Sequence, residues 1–335
     1  MTPPIAVVIG ALGAQGSSVV SSLLSSGGYR IRALTSTPSS PDAIDLSADP
    51  AVDVIEIDLL SIDSLVSAFR DATYIFANSV FRPDVFMEKG ARAAQELEET
   101  HGLNIVRAAR KVARDEGTLE HLVWSTLPDA EKISGGKYTI PHFQSKIPAE
   151  EYLLDEGNGL KERTTFLRVG MYGLNLERVP YLPVYVNGTN KHIVTLPCSS
   201  SAVIPMVGAV TPNVGLIVDA IFRQREKSRG KYVLGVAEHL TAKEWALALS
   251  KVSGKDVVFL ETSLGAYEEL WGAVGTEIGL MMKYIEELGR QCFTAGVDSD
   301  MLLTPADLGV EDVLHSTEDA LRNLAWDKVM VMAQE

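Results

Sequence analysis

The first 170 residues alternate between short apolar segments and longer amphipathic ones. Ile5-Ala-Val-Val-Ile9 is a continuous apolar segment that is rich in β-branched residues. It is too short for a stable helix and is typical of a strand buried on both faces of a parallel sheet. The same pattern predicts further strands at residues 29–35, 52–57, 72–77, 121–125 and 164–169.

The segments between these strands predict helices at residues 15–26, 61–69, 84–114 and 143–154. Ser61 is the expected N-cap of the second helix. Strands that alternate with helices favour parallel pairing through right-handed crossovers, which place helices on both faces of the sheet. The pattern therefore predicts an α/β fold with a Rossmann-type doubly wound parallel sheet.

The regular alternation fades after Val169. Residues 171–205 contain four prolines and scattered tyrosines, which predicts irregular loops that contact a ligand. Later segments predict helices at 212–225, 241–252 and 264–289, and strands at 232–235 and 256–260. We expect a Rossmann domain over residues 1–170 and a smaller, mainly helical C-terminal lobe over 171–335. Residues of about 205–235 are expected to return to the first domain.

Composition and charge exclude several classes of partner. The chain has 335 residues, 46% of them hydrophobic, and a net charge of −14. This is the composition of a globular protein, and its negative charge disfavours nucleic acid and anionic lipid. No apolar stretch approaches the roughly 20 residues that span a bilayer, so a cytoplasmic protein is expected. Cys198 and Cys292 form neither a disulfide framework nor a metal motif, and no metal site is predicted.

A glycine-rich loop follows the first strand. Gly10, Gly13 and Gly16 have the spacing G-x-x-G-x-x-G between a buried strand and a helix. Glycines here permit a tight turn and the close approach of a pyrophosphate, to which the helix N-terminus offers free N–H groups. In this context the loop predicts a dinucleotide site.

The end of the second strand indicates which dinucleotide binds. A site for NAD usually carries an acidic residue about 20 positions after the loop, where it binds the ribose 2′-hydroxyl. Here no acid occurs before Asp42. The region instead offers the cation of Arg32 and the hydroxyls of Thr35, Ser36 and Thr37. These groups suit a 2′-phosphate, so NADP(H) is favoured.

Two polar residues each have two interpretations. Asp58 follows the third strand, where it either contacts the adenine or caps a helix or turn. Ser125 ends the fifth strand at the carboxyl edge, where ligands bind in such sheets, or it caps a turn. The sequence leaves both pairs of alternatives open.

Four motifs occur together along the chain: the glycine loop, Leu34-Thr35, Ile57-Asp58-Leu59 and Tyr138-x-x-Pro-His-Phe-x-Ser-Lys146. Together they resemble the NmrA-like family, an atypical branch of the short-chain dehydrogenase/reductase superfamily. The similarity extends over residues of about 5–290. The resemblance implies a Rossmann domain that binds NADP(H) and a small C-terminal substrate lobe.

The resemblance assigns cofactor contacts position by position. In the glycine loop the matching positions are Gly10, Leu12, Gly13, Ala14, Gln15 and Gly16, and at the end of the second strand Thr35 matches. Asp58 and Leu59 match positions near the adenine, and Asn78, Ser79, Val80 and Phe81 match the segment along the nicotinamide ribose. Lys146 also matches, as do Gly170, Met171 and Tyr172 beside the nicotinamide. The family often carries arginine after the residue that matches Thr35, where it grips the 2′-phosphate. This chain departs from that pattern, because it has Ser36 there.

The source of a catalytic proton stays open. Ordinary short-chain dehydrogenases use Tyr-x-x-x-Lys, in which the lysine lowers the pKa of the tyrosine that donates the proton. Here the position four before Lys146 is His142, and Tyr138 lies eight before it. Lys146 is the donor or an electrostatic stabiliser, or Tyr138 or His142 reaches the substrate, or water supplies the proton. The expected substrate contacts are Phe81, Tyr138, His142, Tyr172 and Asn175.

Two functions fit these predictions. The first is an NADPH-dependent oxidoreductase that reduces a carbonyl or conjugated double bond of a small apolar or aromatic substrate. The second is a non-catalytic NADP(H)-binding redox sensor that acts through a protein partner, in the cytoplasm or the nucleus. The missing tyrosine does not separate them, because the family's reductases also lack it. The apolar C-terminal lobe favours the enzyme.

Overall fold

The computed structural model describes residues 2–322, Leu324 and Trp326. Its strands are β1 (Ile5–Ile9), β2 (Arg30–Thr35), β3 (Val52–Glu56), β4 (Tyr74–Asn78), β5 (His121–Thr126), β6 (Thr164–Val169), β7 (Met171–Tyr172), β8 (Val184–Val186), β9 (Lys191–Leu196), β10 (Val203–Gly208), β11 (Tyr232–Gly235), β12 (Glu238–Thr241), β13 (Val257–Glu261) and β14 (Leu302–Leu303).

The helices of the described residues connect these strands. They are α1 (Ala14–Ser26), α2 (Pro41–Ser47), α3 (Ile62–Phe69), α4 (Pro83–Lys89), α5 (Ala91–Asp115), α6 (Ala130–Ile133), α7 (Pro141–Gln144), α8 (Ile147–Leu154), α9 (Val210–Arg223), α10 (Arg225–Ser228), α11 (Ala242–Ser253), α12 (Leu264–Leu288) and α13 (Thr317–Arg322).

Eight parallel strands form the central sheet, in the order β14-β11-β6-β5-β4-β1-β2-β3. The order reverses at β1, because β2 pairs on one side of it and β4 on the other. The loops after β1 and β4 therefore diverge and open a crevice at the carboxyl edge. The doubly wound parallel sheet and the predicted N-cap are confirmed, since Ser61 Oγ accepts a hydrogen bond from Ser64 N–H at 3.2 Å.

Helices bury both faces of this sheet. Alternate side chains of β1 point to opposite faces. Ala6 and Val8 pack in the apolar cluster that includes α1 and α9, whereas Val7 and Ile9 pack in the cluster that includes α3, α5 and α8. The continuous apolar segment thus has the double burial that its composition predicted.

The chain after Val169 contributes to the central sheet and to a separate apolar cluster. β11 and β14 extend the sheet, and α9 packs against α1. Two three-stranded sheets, β12-β10-β7 and β13-β9-β8, share the separate cluster with α11 and α12. The prediction of irregular loops over 171–205 is therefore wrong in part. Alternate residues of β9 are buried, the period of a half-buried strand, which the neighbouring prolines masked.

Two predicted helices are divided in the structure. The segment predicted as one helix over 84–114 forms α4 and α5, which separate at Gly90. Its φ of 87° favours glycine and ends the first helix. The segment predicted over 143–154 forms α7 and α8, which separate at Ser145 and Lys146. Helix α2 was not predicted from the apolar periodicity.

The described residues carry no helix with the length and apolar character needed to cross a membrane. They also contain no group of three or more His, Cys, Asp or Glu side chains arranged to hold a metal ion. Cys198 and Cys292 are buried and unpaired, and burial raises the pKa of each thiol to about 12. Thiols kept neutral in this way behave as small apolar core residues.

His121 is fully buried at the start of β5. Its Nε2 donates to Thr165 Oγ1 at 2.8 Å, because the Thr165 hydroxyl itself donates to the carbonyl of Ser228 at 2.7 Å. Burial, together with repulsion from Arg229 and Arg225, lowers the pKa of His121 to about 3. The folded protein therefore holds this ring neutral.

Acid is expected to destabilise the protein through His121. The ring titrates near about 6.5 in an unfolded chain and near about 3 in the folded state, so protons bind the unfolded state preferentially as the pH falls. From pH 8 to pH 5 this ring alone costs about 2 kcal/mol of unfolding free energy. Urea unfolding at both pH values should show a loss smaller by this amount in His121→Gln, which keeps an N–H donor. An equal loss in both proteins would show that a group other than His121 causes the pH dependence.

Candidate functional site

Two adjoining cavities lie at the carboxyl edge of the central sheet, where the strand order reverses. The first cavity, about 570 Å³, extends from the glycine loop past the ends of β2 and β3. The second cavity, about 350 Å³, lies between the ends of β4, β5 and β6 and helix α12. Gln15, Asn78, Val80 and Tyr172 line both cavities, which therefore meet at these four residues.

The structure brings most of the predicted site residues to these cavities. Besides the shared residues, the first cavity is lined by Gly10, Leu12, Gly13, Ala14, Gly16, Thr35, Ser36 and Leu59. The second cavity is lined by Ser79, Phe81, Ser125, His142, Lys146, Gly170, Met171 and Asn175. Three predicted residues, Thr37, Asp58 and Tyr138, line neither cavity.

The glycine loop leaves donor groups free at the start of α1. Gly10 has a φ of 67°, and a Cβ on Gly16 would lie 2.1 Å from the carbonyl oxygen of Gly10, so this loop closes only around glycines. The N-cap Gly13 has no side chain to accept from the first turn, and its carbonyl accepts first from Ser17 N–H. The earlier N–H groups of α1 therefore lack intrahelical acceptors. Beside the first cavity, they suit a phosphate.

The structure does not support the role that was predicted for Arg32 of β2. The Arg32 guanidinium donates to the carbonyls of Ala68 and Arg70, each at 2.7 Å, beside the end of α3. The expectation that Arg32 serves a 2′-phosphate is therefore wrong, because its side chain is held away from the first cavity. Among the described residues that line this cavity, the arginine is Arg82, which precedes α4 and pairs with Asp84 in the first turn of that helix.

Asp58 and Thr37 support turns near the first cavity. The exposed Asp58 carboxylate accepts a hydrogen bond from Leu60 N–H at 2.9 Å. Of its two interpretations, the structure shows the turn cap. Thr37 N–H donates to Thr35 Oγ1 at 3.1 Å and closes the turn after β2.

A chain of hydrogen bonds crosses the junction of the two cavities. Ser125 Oγ donates to Gln15 Oε1 at 2.8 Å, and Gln15 Nε2 donates to Tyr172 Oη at 2.8 Å. Burial raises the pKa of the Tyr172 hydroxyl, which stays neutral. These three side chains join the start of α1 to the ends of β5 and β7, and thereby form part of the boundary between the cavities.

Lys146 is held by a carboxylate that the sequence analysis did not identify. Its Nζ donates to Glu98 Oε1 and to the Ser79 carbonyl, both at 2.8 Å, and to Ser79 Oγ at 3.2 Å. Glu98 also accepts from Ser79 Oγ at 2.9 Å and from Ser145 Oγ at 2.5 Å. Lys146 is 7% exposed and Glu98 is 1% exposed. All three ammonium protons therefore have acceptors within the protein.

The surroundings of Glu98 keep its carboxyl ionised. Burial alone raises the pKa of this carboxyl, but the attraction of Lys146 and the hydrogen bonds from Lys146, Ser145 and Ser79 outweigh burial and lower the pKa. The wall of the second cavity thus contains a buried ion pair whose charges balance.

Two glutamates of α12 reach the segment before Lys146. Glu277 Oε1 lies 2.7 Å from His142 Nδ1 and accepts from the backbone N–H of His142 at 3.1 Å. Further along the helix, Glu287 accepts from the Tyr138 hydroxyl at 2.7 Å. His142 lines the second cavity, whereas Tyr138 packs in the apolar cluster of the C-terminal part. The expected contact between Tyr138 and a substrate is therefore not supported.

Four residues of the site were not predicted from the sequence, namely Glu98, Glu277, Arg82 and His101. Arg82 and His101 line the first cavity, and burial lowers the pKa of His101. Glu277 carried no distinguishing signal in the sequence, because α12 has four other glutamates, none of them buried. Glu98, in contrast, carried a signal in the sequence. It shares the buried face of α5 with Ala94 and Ile105, so helical periodicity places an acid among apolar positions.

Comparison with known families identifies the class of this chain. Residues 4–314 match the NmrA-like family. The chain belongs to the NmrA-like family, which confirms the resemblance drawn from its motifs. The NmrA-like family domain-containing oxidoreductase FrzB of Cladobotryum sp is 27% identical over 304 residues, 86% of this chain and 86% of that protein. The corresponding oxidoreductase hkm9 of Aspergillus hancockii is 24% identical over 265 residues, 77% of this chain and 75% of that protein.

Solved structures share the fold over nearly the whole chain. NmrA, a negative transcriptional regulator, in complex with NADP has a TM-score of 0.73 at 20% identity and covers 98% of this chain and 97% of its own. The Citrobacter sp. triphenylmethane reductase complexed with NADP(H) has a TM-score of 0.63 at 21% identity and covers 95% and 99%. At these identities the likeness shows the fold.

Glu98→Gln is expected to lower the free energy of unfolding by about 3–5 kcal/mol, because Lys146 stays buried without its carboxylate. The double variant Glu98→Gln/Lys146→Met removes both charges and should recover most of this loss. Urea unfolding at pH 7 measures both proteins. If the double variant were no more stable than the single one, the loss would come from packing or the serine hydrogen bonds rather than from an unpaired ammonium.

Proposed function

We propose that this protein is an NADPH-dependent oxidoreductase that reduces a carbonyl or conjugated double bond of a small apolar or aromatic substrate. The observation that carries the proposal is the junction of the two cavities. The first cavity has the loop of a dinucleotide site, the second is large enough for a ligand, and four residues line both. A nicotinamide at this junction would meet a substrate in the second cavity.

The residues of the first cavity fit NADP(H). The first-turn N–H groups of α1 would hold the pyrophosphate, and Thr35 and Ser36 would lie near the adenosine ribose. Among the described residues that line this cavity there is no carboxylate to repel a 2′-phosphate, and the guanidinium of Arg82, bonded to Asp84, lies beside it. Solved structures of the same fold hold NADP or NADP(H). When bound, the reduced cofactor supplies a hydride.

The second cavity favours a neutral, apolar substrate. Aromatic and thioether side chains form much of its wall, namely those of Phe81, Phe143, Met281 and Phe293. The ionic groups of the wall are already paired within the protein, Lys146 with Glu98 and His142 with Glu277. A charged substrate would therefore find no free counter-charge in the described wall. About 350 Å³ is the size of a pocket for a small organic molecule.

A non-catalytic sensor that acts through a protein partner is the second candidate. The likeness of fold to NmrA, a negative transcriptional regulator, favours it. A sensor needs the nucleotide cleft but has no use for a ligand-sized cavity that opens beside it. The second cavity therefore supports the oxidoreductase.

The first test is a titration of the purified protein with NADPH, NADP⁺, NADH and NAD⁺ at one ionic strength. We expect the phosphorylated pair to bind at least about tenfold more tightly, a difference of about 1.4 kcal/mol. The reason is that the described lining of the first cavity holds the hydroxyls of Thr35 and Ser36 and no carboxylate that would repel the 2′-phosphate. Equal affinities would contradict the assignment of NADP(H), and absent binding would contradict both candidate functions.

Ile278→Trp is expected to block turnover while nucleotide binding persists. Ile278 lines the second cavity but not the first, so the larger side chain occupies substrate space. The assay follows NADPH oxidation with cinnamaldehyde, chalcone and phenanthrenequinone, and kcat/KM should fall about tenfold or more. Leu270→Trp, at an exposed position of the same helix, is the matched control and should keep both properties. Wild-type protein that binds NADPH but reduces none of these compounds would favour the sensor.

A further inference from the structure

We propose that His142 donates the proton in this reduction and that Glu277 positions its ring. The inference rests on the proposed function, because it assigns the proton donor of that reaction. In this proposal Lys146 is a positioning residue, which holds Glu98 and Ser79 in place in the wall of the second cavity.

Glu277 holds one nitrogen of the His142 ring and leaves the other for a ligand. Glu277 Oε1 lies 2.7 Å from Nδ1 and also accepts from the His142 backbone N–H at 3.1 Å. The carboxylate therefore fixes the ring relative to its own main chain. Within the part of the chain that the structure describes, no protein group hydrogen-bonds to Nε2. Because Nδ1 presents its proton to Glu277, Nε2 is the nitrogen that can exchange a proton with a bound molecule.

The two residues differ in their access to the second cavity. The His142 side chain is 21% exposed and lines the cavity, whereas the Glu277 side chain is 8% exposed and lies behind the ring. Phe81 and Phe143 contact the ring edge-on, at centroid distances of 6.1 Å and 4.9 Å, and restrict its rotation. A buried carboxylate behind an imidazole stabilises the ring as its charge changes and fixes its tautomer.

The other predicted donors are already engaged. The three protons of Lys146 Nζ have acceptors on Ser79 and Glu98, so a substrate would have to compete with a buried carboxylate. The Tyr138 hydroxyl donates to Glu287, and Tyr138 lies outside the second cavity. Of the three predicted side chains, His142 is therefore the one with a free nitrogen at the cavity.

The electrons and atoms of the step balance with these residues. Reduction adds a hydride, supplied by the reduced nicotinamide, to one carbon of the substrate. The π electron pair of the C=O or C=C bond moves to the far atom and takes the proton from Nε2 of the cationic His142 ring. The substrate would gain two electrons and two hydrogens in all, as a hydride supplied by the bound cofactor and a proton supplied by His142. The ring is left neutral with its remaining proton on Nδ1, and solvent restores the other proton.

A kinetic experiment tests the catalytic role with a matched control on the same helix. With the best substrate of the carbonyl panel, His142→Gln should lower kcat about 100-fold, the usual contribution of a general acid, and Glu277→Ala about tenfold. The KM and the NADPH affinity should stay within about threefold of wild type, because the main apolar side chains of the wall, Phe143, Met281 and Phe293, are unchanged. Glu287→Ala is the control, since Glu287 also bonds the segment before Lys146 but lies outside the cavity, and its kcat should stay within about twofold.

Nitrogen-15 NMR of the histidine rings tests the positioning role without turnover. The His142→Gln spectrum assigns the signal of this ring among the six histidines. At a pH where the ring is neutral, the wild-type protein and Glu287→Ala should carry the proton on Nδ1. Glu277→Ala should move it to Nε2, because the acceptor at Nδ1 is gone.

The outcomes separate this inference from the proposed function. If kcat of Glu277→Ala and His142→Gln equals that of wild type, the proton donor is another group, although the reductase assignment stands. If the wild-type ring carries its proton on Nε2, Glu277 does not position it. If wild-type protein reduces no panel compound, the proposed function fails and the catalytic role fails with it. In that case the NMR result still decides whether Glu277 orients the ring.

Discussion

The whole site depends on the parallel pairing of β1 with β2 on one side and with β4 on the other. Parallel neighbours need a crossover connection, and right-handed crossovers to the two sides carry the chain to opposite faces of the sheet. The loops after β1 and β4 therefore diverge and leave a gap that no strand fills. The glycine loop and the segment around Asn78 border this gap, and both cavities open from it.

Buried carboxylates determine what the polar side chains around the gap can do. Glu98 belongs to α5, within the first 170 residues, and together with Ser79 it engages every proton of Lys146. Glu277 belongs to α12, in the C-terminal part, and engages one nitrogen of His142 while leaving the other. A buried ion pair stabilises weakly as a whole but is costly to break. The two carboxylates therefore act mainly by holding side chains in one orientation within an apolar wall.

Much of the fold could be predicted from the sequence because its signals are local. The β-branched segment Ile5–Ile9 and the N-cap Ser61 each predict their structure from a few neighbouring residues. The breaks at Gly90 and before α8 also have local signals, Gly90 itself and Pro148 in the first turn of α8, but the apolar pattern alone did not reveal them. The strand β9 was missed because the prolines around it outweighed a period-2 pattern of six residues.

At the site, the types of the functional residues could be predicted from the sequence. The pairs that these residues form in the structure could not. Lys146 and Glu98 are 48 positions apart, and His142 and Glu277 are 135 apart, so no local pattern joins them. Tyr138 and His142 lie in the same short segment, and each is bonded by a glutamate of α12. Tyr138 nevertheless packs against Tyr284 in the core, whereas His142 faces the second cavity. Their chemical roles differ because the fold turns one ring toward apolar neighbours and the other toward the space where a ligand can bind.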